Sequence, residues 1–244
     1  MNLIDLIIIA IICFAAVEGM KKRLLNSCFS FLSSIVGLFA AIKYNSVLAT
    51  WIDDHFSVFE QIKQFFAENF IIYEEISGIN IGVLSLPDIS TFLDHLEFPI
   101  DLKVLLLKYI LNMVDEVAMS ATTTLGQVLN LFMSEIAYKS LVFVVMWFIV
   151  YKIADYLSSF FIGSIEGSVS DLLNDVGGIV LGLGKMIFVL TALLGMFYPV
   201  LALSGFSEPS LLVSITNTVG EAGLVRILTW LFSLLMGELI VPWL

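Results

Sequence analysis

The chain alternates long apolar runs with short polar breaks, and five of the runs are long enough to cross or enter a bilayer. They extend from Leu3 to about Gly19, from about Leu24 to Ile52, from Ile136 to about Leu157, from Val176 to about Leu203, and from Gly223 to Leu244. A spanning helix needs about 20 mostly apolar residues. The first four runs therefore predict spanning helices. The fifth contains Arg226 and Glu238, so it either spans or forms an interfacial or re-entrant helix.

The stretch between the second and third runs, residues 53–135, has a different pattern. Its first part places apolar side chains three and four positions apart, which is typical of one face of a helix, at Phe56, Phe59, Ile62, Phe66, Phe70 and Tyr73. A second helical stretch follows Pro99. The stretch also holds 13 acidic residues against three lysines. We expect a small helical domain, or amphipathic helices lying against the membrane face.

Together these patterns predict an all-α integral membrane protein with four or five transmembrane helices. A transmembrane helical hairpin covers residues 1–52, an acidic helical region outside the cytoplasm covers 53–135, a second transmembrane hairpin covers 136–204, and a hydrophobic helix covers 205–244. Composition agrees, since 59% of the residues are hydrophobic and 14% are charged, against about 45–50% and 25% in soluble domains. The bilayer is the expected partner, and a net charge of −11 argues against nucleic acid.

The densest cationic cluster, Lys21, Lys22 and Arg23, lies in the short turn between the first two apolar runs. Short cytoplasmic loops carry the excess of Lys and Arg. This turn is therefore expected in the cytoplasm, with the N-terminus and residues 53–135 outside. The turn predicted from Ser158 to Asp175 would then also face the cytoplasm, although it contains no Lys or Arg.

Glycines recur near the start of the fourth run, at Gly177, Gly178, Gly182 and Gly184. Small residues four apart allow two helix backbones to approach closely. Two interpretations remain open at this point. The glycines pack helices within one subunit, or they form a pore-lining or oligomer-forming face.

Lys185 lies about nine residues into the fourth run, a rise of about 14 Å that places it near the middle of a hydrocarbon core about 30 Å thick. An ammonium there costs at least about 2.5–3.5 kcal/mol on insertion scales. It should face protein or water, or pair with an acid, for which Asp155 and Asp5 are the candidates. The alternative is that its side chain extends along the helix to reach water. Asp5 could instead lie at the outer interface and favour its own helix N-terminus. Glu18 is expected to pair with its basic neighbours.

Other polar residues do not indicate chemistry. His55 and His95 lie beside acids in separate segments, which is a poor metal signature and is typical of surface residues. Cys13 and Cys28 lie inside apolar runs, where cysteine is usually a small hydrophobe. No catalytic nucleophile, phosphate-loop or zinc-protease motif is present. We therefore expect no enzyme activity, no metal and no cofactor.

Two blocks of the sequence resemble the colicin V production protein (CvpA) family. The first is Asp5 followed by "AAVEGMKKRLLNSCFSFLSSIVGLFAA", residues 15–41, where Gly19 matches the first glycine of the family's helix–turn–helix unit and Arg23 stands where a second glycine is usual. The second is "SDLLNDVGGIVLGLGKMIFVLTALL", residues 170–194. Its family-like positions are Asn174, Gly177, Gly178, Gly182, Gly184 and Lys185.

This resemblance implies a multi-pass protein of the bacterial cytoplasmic membrane. The family is linked to production or export of the peptide toxin colicin V and to tolerance of envelope stress. A channel-like or transporter-accessory homo-oligomer is the first functional hypothesis. The alternative is a scaffold that recruits secretion or envelope proteins through the acidic region, residues 53–135.

The orientation is testable at the basic turn. Replacing Lys21, Lys22 and Arg23 with glutamine should weaken or invert the topology, because the charge that retains the turn in the cytoplasm is removed. Accessibility of single cysteines placed at the two membrane faces measures this. The matched control is Lys63→Gln in the acidic region, which should leave the topology unchanged. An unaltered labelling pattern in the triple variant would contradict the assignment.

Overall fold

A computed structural model describes residues 2–72, 77–80, 89, 91, 103–104, 106–111, 123–162, 171–203 and 211–235. The helices within them are α1 (Leu3–Phe56), α2 (Val58–Asn69), α3 (Leu125–Ile162), α4 (Asp171–Leu203), α5 (Leu211–Gly220) and α6 (Gly223–Leu235). The described part contains no strand, only an isolated antiparallel bridge between Asn80 and Thr124. The predicted all-α class is confirmed.

Helix α1 is two helical arms joined at Arg23, whose φ of 60° and ψ of 170° are not helical. The Ser27 hydroxyl donates to the Gly19 carbonyl at 3.1 Å across eight residues. In a continuous helix these positions would be about 12 Å apart along the axis. The chain therefore reverses at Arg23, and residues 3–22 and 24–56 form a helical hairpin, called here the first arm and the second arm.

Helix α4 packs against both arms of this hairpin. A Cβ atom on Gly19 would overlap the Gly178 carbonyl, and one on Gly182 would lie 2.6 Å from the Ala15 carbonyl oxygen. The first arm is antiparallel to α4, because Gly178 meets Gly19 and Gly182 meets Ala15. The second arm is parallel to α4, and further along it Ser30 contacts Lys185. The two arms are thus antiparallel, and the glycines permit contact between the backbones of the first arm and α4.

Helix α3 runs antiparallel to the second arm. The Trp147 indole donates to the Ser34 carbonyl at 2.8 Å, and the Tyr138 hydroxyl donates to the Ala49 carbonyl at 2.5 Å. The inward face of the second arm also buries Leu38 and Ile42, but most of its buried residues are small or polar: Ser27, Ser30, Ser33, Ser34, Gly37, Ala41, Asn45 and Ala49. These short side chains bring α3 and α4 close to the second arm.

Apolar side chains cover much of the outer surface. Helices α1, α3 and α4 each contain a stretch long and apolar enough to cross a membrane. Phe14 is 71% exposed, Phe148 58% and Val180 61%. Continuous apolar surface of this kind is unfavourable in water and suits contact with lipid tails. The chain is therefore an integral membrane protein.

The C-terminal region differs from the single helix predicted over 205–244. A turn at Glu221 and Ala222 separates α5 from α6. Helix α6 buries Val225, Leu228, Thr229 and Phe232, at the spacing of one helix face. Its 13 described residues span about 20 Å. Residues 236–244, including Glu238, lie outside the described residues.

Other helix boundaries extend beyond the apolar runs. Helix α3 begins at Leu125, ahead of the predicted start at Ile136, and continues past Ser158 to Ile162. Helix α4 begins at Asp171, within the turn that was expected to last until Asp175. An apolar run marks the part of a helix that suits lipid, but backbone hydrogen bonding continues into polar surroundings. Helix α2 agrees with the predicted amphipathic pattern, since Phe66 within it and Phe70 directly after it are both buried.

Packing of α4 against the first arm gives a stability prediction. Gly178→Ala should destabilise the fold by about 1–3 kcal/mol, because its Cβ would overlap the Gly19 carbonyl, which belongs to the backbone. Gly184→Ala is the matched control, since nothing lies within 4 Å of a Cβ there. Thermal unfolding in detergent measures both variants. Equal unfolding midpoints would show that this contact does not hold the helices together.

Candidate functional site

Lys185 lies where α3, α4 and the second arm meet. Its Nζ donates to the Ser30 hydroxyl at 2.9 Å and to the Tyr151 hydroxyl at 2.6 Å. The two hydroxyl oxygens are 3.2 Å apart and share a hydrogen bond of their own. Each of the three residues comes from a different helical segment, so the cluster exists only in the assembled bundle.

The cluster stabilises the ammonium without an acid. Nζ lies 4.3 Å from the centroid of the Tyr151 ring, within the range of a cation–π interaction. Ser30 is only 2% exposed, and Lys185 is half-buried. Two hydroxyl acceptors and an aromatic face therefore replace part of the hydration that the ammonium loses.

The carboxylate partners proposed for Lys185 are wrong. Neither Asp155 nor Asp5 forms an ion pair with it, and within the described residues no carboxylate oxygen lies within 4 Å of its Nζ. The side chain does not simply extend to water either, because both hydroxyls that it contacts belong to neighbouring helices. Sequence distance explains the failure, since Ser30 is 155 positions away.

A cavity of about 60 Å³ separates Lys185 from the Arg23 turn. Its polar wall consists of Glu18, Lys22, Ser27, Ser30 and Lys185. Glu18 and Lys22 form an ion pair at 2.8 Å, as predicted for Glu18 and its basic neighbours. The wall therefore carries two cations and one anion, and the cavity is the size of about two water molecules.

Three of the four predicted glycines of α4 contact the helical hairpin of the same chain. Gly178 and Gly182 touch the first arm, and a Cβ on Gly177 would overlap the Leu24 side chain. Gly184 is exposed and faces open space. Of the two interpretations left open, the structure therefore supports packing within one subunit for the first three.

The basic turn has one charge engaged and two exposed. Lys22 is held by Glu18, whereas Lys21 and Arg23 are exposed. Arg23 adopts a positive φ, which glycine adopts without the strain that a Cβ adds.

Asp5 caps two helices. One carboxylate oxygen accepts from the Asn2 amide at 3.0 Å in its own first turn, and the other accepts from the Leu224 amide of α6 at 2.8 Å. The Asn2 side chain also donates to the Thr218 carbonyl at 2.7 Å. The expected role at its own helix N-terminus is present, and the second cap was not foreseen.

The histidines and cysteines form no site in the described part of the chain. His55 Nδ1 donates a hydrogen bond to the Trp51 carbonyl at 2.8 Å, and its ring lies against the Trp51 indole. His95 lies outside the described residues. No group of three or more His, Cys, Asp or Glu side chains among the described residues is placed to hold a metal ion. Cys13 and Cys28 are both free thiols.

Sequence reasoning missed Ser30 and Tyr151. A signal for Ser30 was present, because Ser27, Ser30 and Ser34 recur at helical spacing within an apolar run. Tyr151 had no comparable signal, since a tyrosine beside Lys152 near the end of a spanning helix suits an ordinary membrane-interface position.

The fold and this cluster define a helical membrane protein with a cation held between its spanning segments. Comparison with family models matches residues 4–85 to the family described as Colicin V production protein. The match covers the hairpin and α2, and the second resembling block, residues 170–194, lies beyond it. The match covers about a third of the chain, and over these residues it supports the predicted resemblance to the colicin V production (CvpA) family. No curated protein and no solved structure matches it.

The Asp5 contact predicts a local effect at α6. Asp5→Ala should speed hydrogen exchange at the Leu224 amide, because this amide at the start of α6 would lose its acceptor. Mass spectrometry of deuterated peptides over residues 220–235 measures the effect. Asp155→Ala, an acid on α3, is the control and should leave those peptides unchanged. Unaltered exchange in Asp5→Ala would show that the cap does not hold α6.

Proposed function

We propose that this chain works in the bacterial cytoplasmic membrane as a channel-like or transporter-accessory component of colicin V production and envelope stress tolerance. Its working site is Lys185 with Ser30 and Tyr151. The observation that carries the proposal is an intramembrane ammonium held by two hydroxyls and an aromatic ring beside a polar cavity.

Charge cost supports a functional role for this lysine. Ionisable residues within spanning segments are expensive, and those that persist commonly mark ion or substrate pathways. Charged residues inside spanning segments usually pair with one another or with backbone carbonyls. Lys185 instead contacts two hydroxyls and lies next to a cavity that has room for water or a small solute.

The position of the cavity suggests where the site opens. Gly178 contacts Gly19 near the basic turn, and Lys185 is seven residues further along α4, a rise of about 10 Å. With the basic turn in the cytoplasm, the site is reached from the cytoplasmic side. A cavity of about 60 Å³ cannot pass a peptide, so the proposal includes a homo-oligomer whose copies together form any wider path.

A second candidate is a scaffold that binds secretion or envelope proteins. It is favoured by a cavity of about 390 Å³ at the opposite end of the second arm, bordered by Asp53, Asp54 and Glu135. Asp53 accepts from the Phe59 amide at 3.0 Å and Glu135 pairs with Lys139 at 2.8 Å, whereas Asp54 is exposed. Such a border suits a basic segment of a partner protein.

The channel-like proposal is tested by exchanging the lysine. In a colicin V-producing strain that lacks the endogenous gene, Lys185→Met should reduce secreted toxin activity and detergent survival to the level of an empty vector. The change removes the charge while retaining an unbranched apolar side chain. Lys43→Met is the matched control, because Lys43 is also in a spanning helix but is exposed and should complement fully.

Immunoblots of membrane fractions confirm equal amounts of each variant. Full complementation by Lys185→Met would refute the working site. If the same strain instead tolerates Lys185→Met but fails with combined Asp53→Asn, Asp54→Asn and Glu135→Gln, the scaffold function replaces the channel-like one.

A further inference from the structure

The cavity beside Lys185 has an unbalanced charge. Glu18 neutralises Lys22 at 2.8 Å. The contacts of Lys185 are neutral hydroxyls and a ring. The cavity wall therefore retains one positive charge, which is located on Lys185 rather than on the Glu18–Lys22 ion pair.

Hydrogen-bond donors are also in excess there. An ammonium has three N–H groups, and Lys185 uses two of them on Ser30 and Tyr151. The two hydroxyls spend one O–H on each other, which leaves the other O–H uncommitted. The Ser27 hydroxyl is occupied by the Gly19 carbonyl. One N–H of Lys185 thus remains for a ligand, beside a cavity whose wall includes both Ser30 and Lys185. When Tyr151 donates to Ser30, the Ser30 O–H is available at the same wall.

We propose that this cavity binds a small monovalent anion of the chloride class, which acts as the counter-ion of Lys185. This inference deepens the proposed function and rests on it. A positive charge with uncommitted donors recognises an acceptor that is negative. The volume of about 60 Å³ has room for roughly two water molecules, so a halide ion with one water fits.

Glu18 is the competing counter-ion, because its carboxylate lines the same cavity. In that arrangement it would leave Lys22 and turn toward Lys185. The described geometry favours the anion, since the Glu18 oxygen lies on the Lys22 ammonium. The two arrangements differ in what removal of the carboxylate does, and this difference gives the test.

The experiment measures thermal unfolding of the full-length protein in nanodiscs, with sodium chloride exchanged for sodium gluconate at constant ionic strength. A ligand that binds only the folded state raises the midpoint in a saturable way. We expect this response in the native protein and in Lys43→Met. Lys185→Met should lose it. Ser30→Ala and Tyr151→Phe, which each remove one hydroxyl, should require several-fold more chloride for half of the shift.

Glu18→Gln decides between the two counter-ions. If chloride occupies the cavity, this change removes a nearby negative charge and should lower the chloride concentration for half of the shift. A native protein without chloride response, with a response appearing only in Glu18→Gln, would overturn the proposal. An equal response in native protein, Lys185→Met and Tyr151→Phe would also overturn it.

The failure of this inference is distinguishable from failure of the proposed function. If Lys185→Met loses toxin production but the native protein shows no chloride response, chloride binding is refuted and the proposed function stands. If Lys185→Met abolishes the chloride response but complements fully, chloride binding is supported and the proposed function is refuted.

Discussion

Contact between the backbones of Gly19 and Gly178 is the constraint on which the rest of the arrangement depends. It fixes how deeply α4 enters the hairpin, and therefore which residues of the second arm face α4 further along. Lys185 is two helical turns beyond Gly178 and meets Ser30 only at this register. A side chain at either glycine would push the helices apart at the point where the polar cluster is assembled.

The polar cluster differs from an ion pair in what it permits. A buried carboxylate would hold the ammonium tightly and cancel its field, and leaving such a pair would be costly. Hydroxyls supply directional acceptors while the charge persists. The second arm can offer Ser30 because its inner face is built from short side chains, so the same residues that allow close packing also leave room for a lysine to enter from α4.

Much of the fold followed from local patterns. The apolar runs located α1, α3 and α4, the three cations located the reversal at Arg23, and the helical spacing of phenylalanines located α2. Only part of the site could be predicted from the sequence. Lys185 was recognised from its depth, but its neighbours depend on which faces of distant helices meet. The pattern of apolar and polar residues along α4 does not show that Tyr151 of α3 will contact Lys185. The expectation of a carboxylate partner came from how intramembrane lysines usually pair in other proteins.

The chain order of the three residues has a consequence for assembly. Ser30 is synthesised first, Tyr151 follows, and Lys185 is synthesised last. When α4 leaves the ribosome, the hairpin and α3 have already been made, and the hydroxyls that receive the ammonium are already in the chain. The Lys185 ammonium therefore enters the bilayer after the Ser30 and Tyr151 hydroxyls have been synthesised. It does not have to remain unpaired in lipid until a later segment is made. A permuted chain with α4 first would reverse this order and leave the lysine alone during insertion.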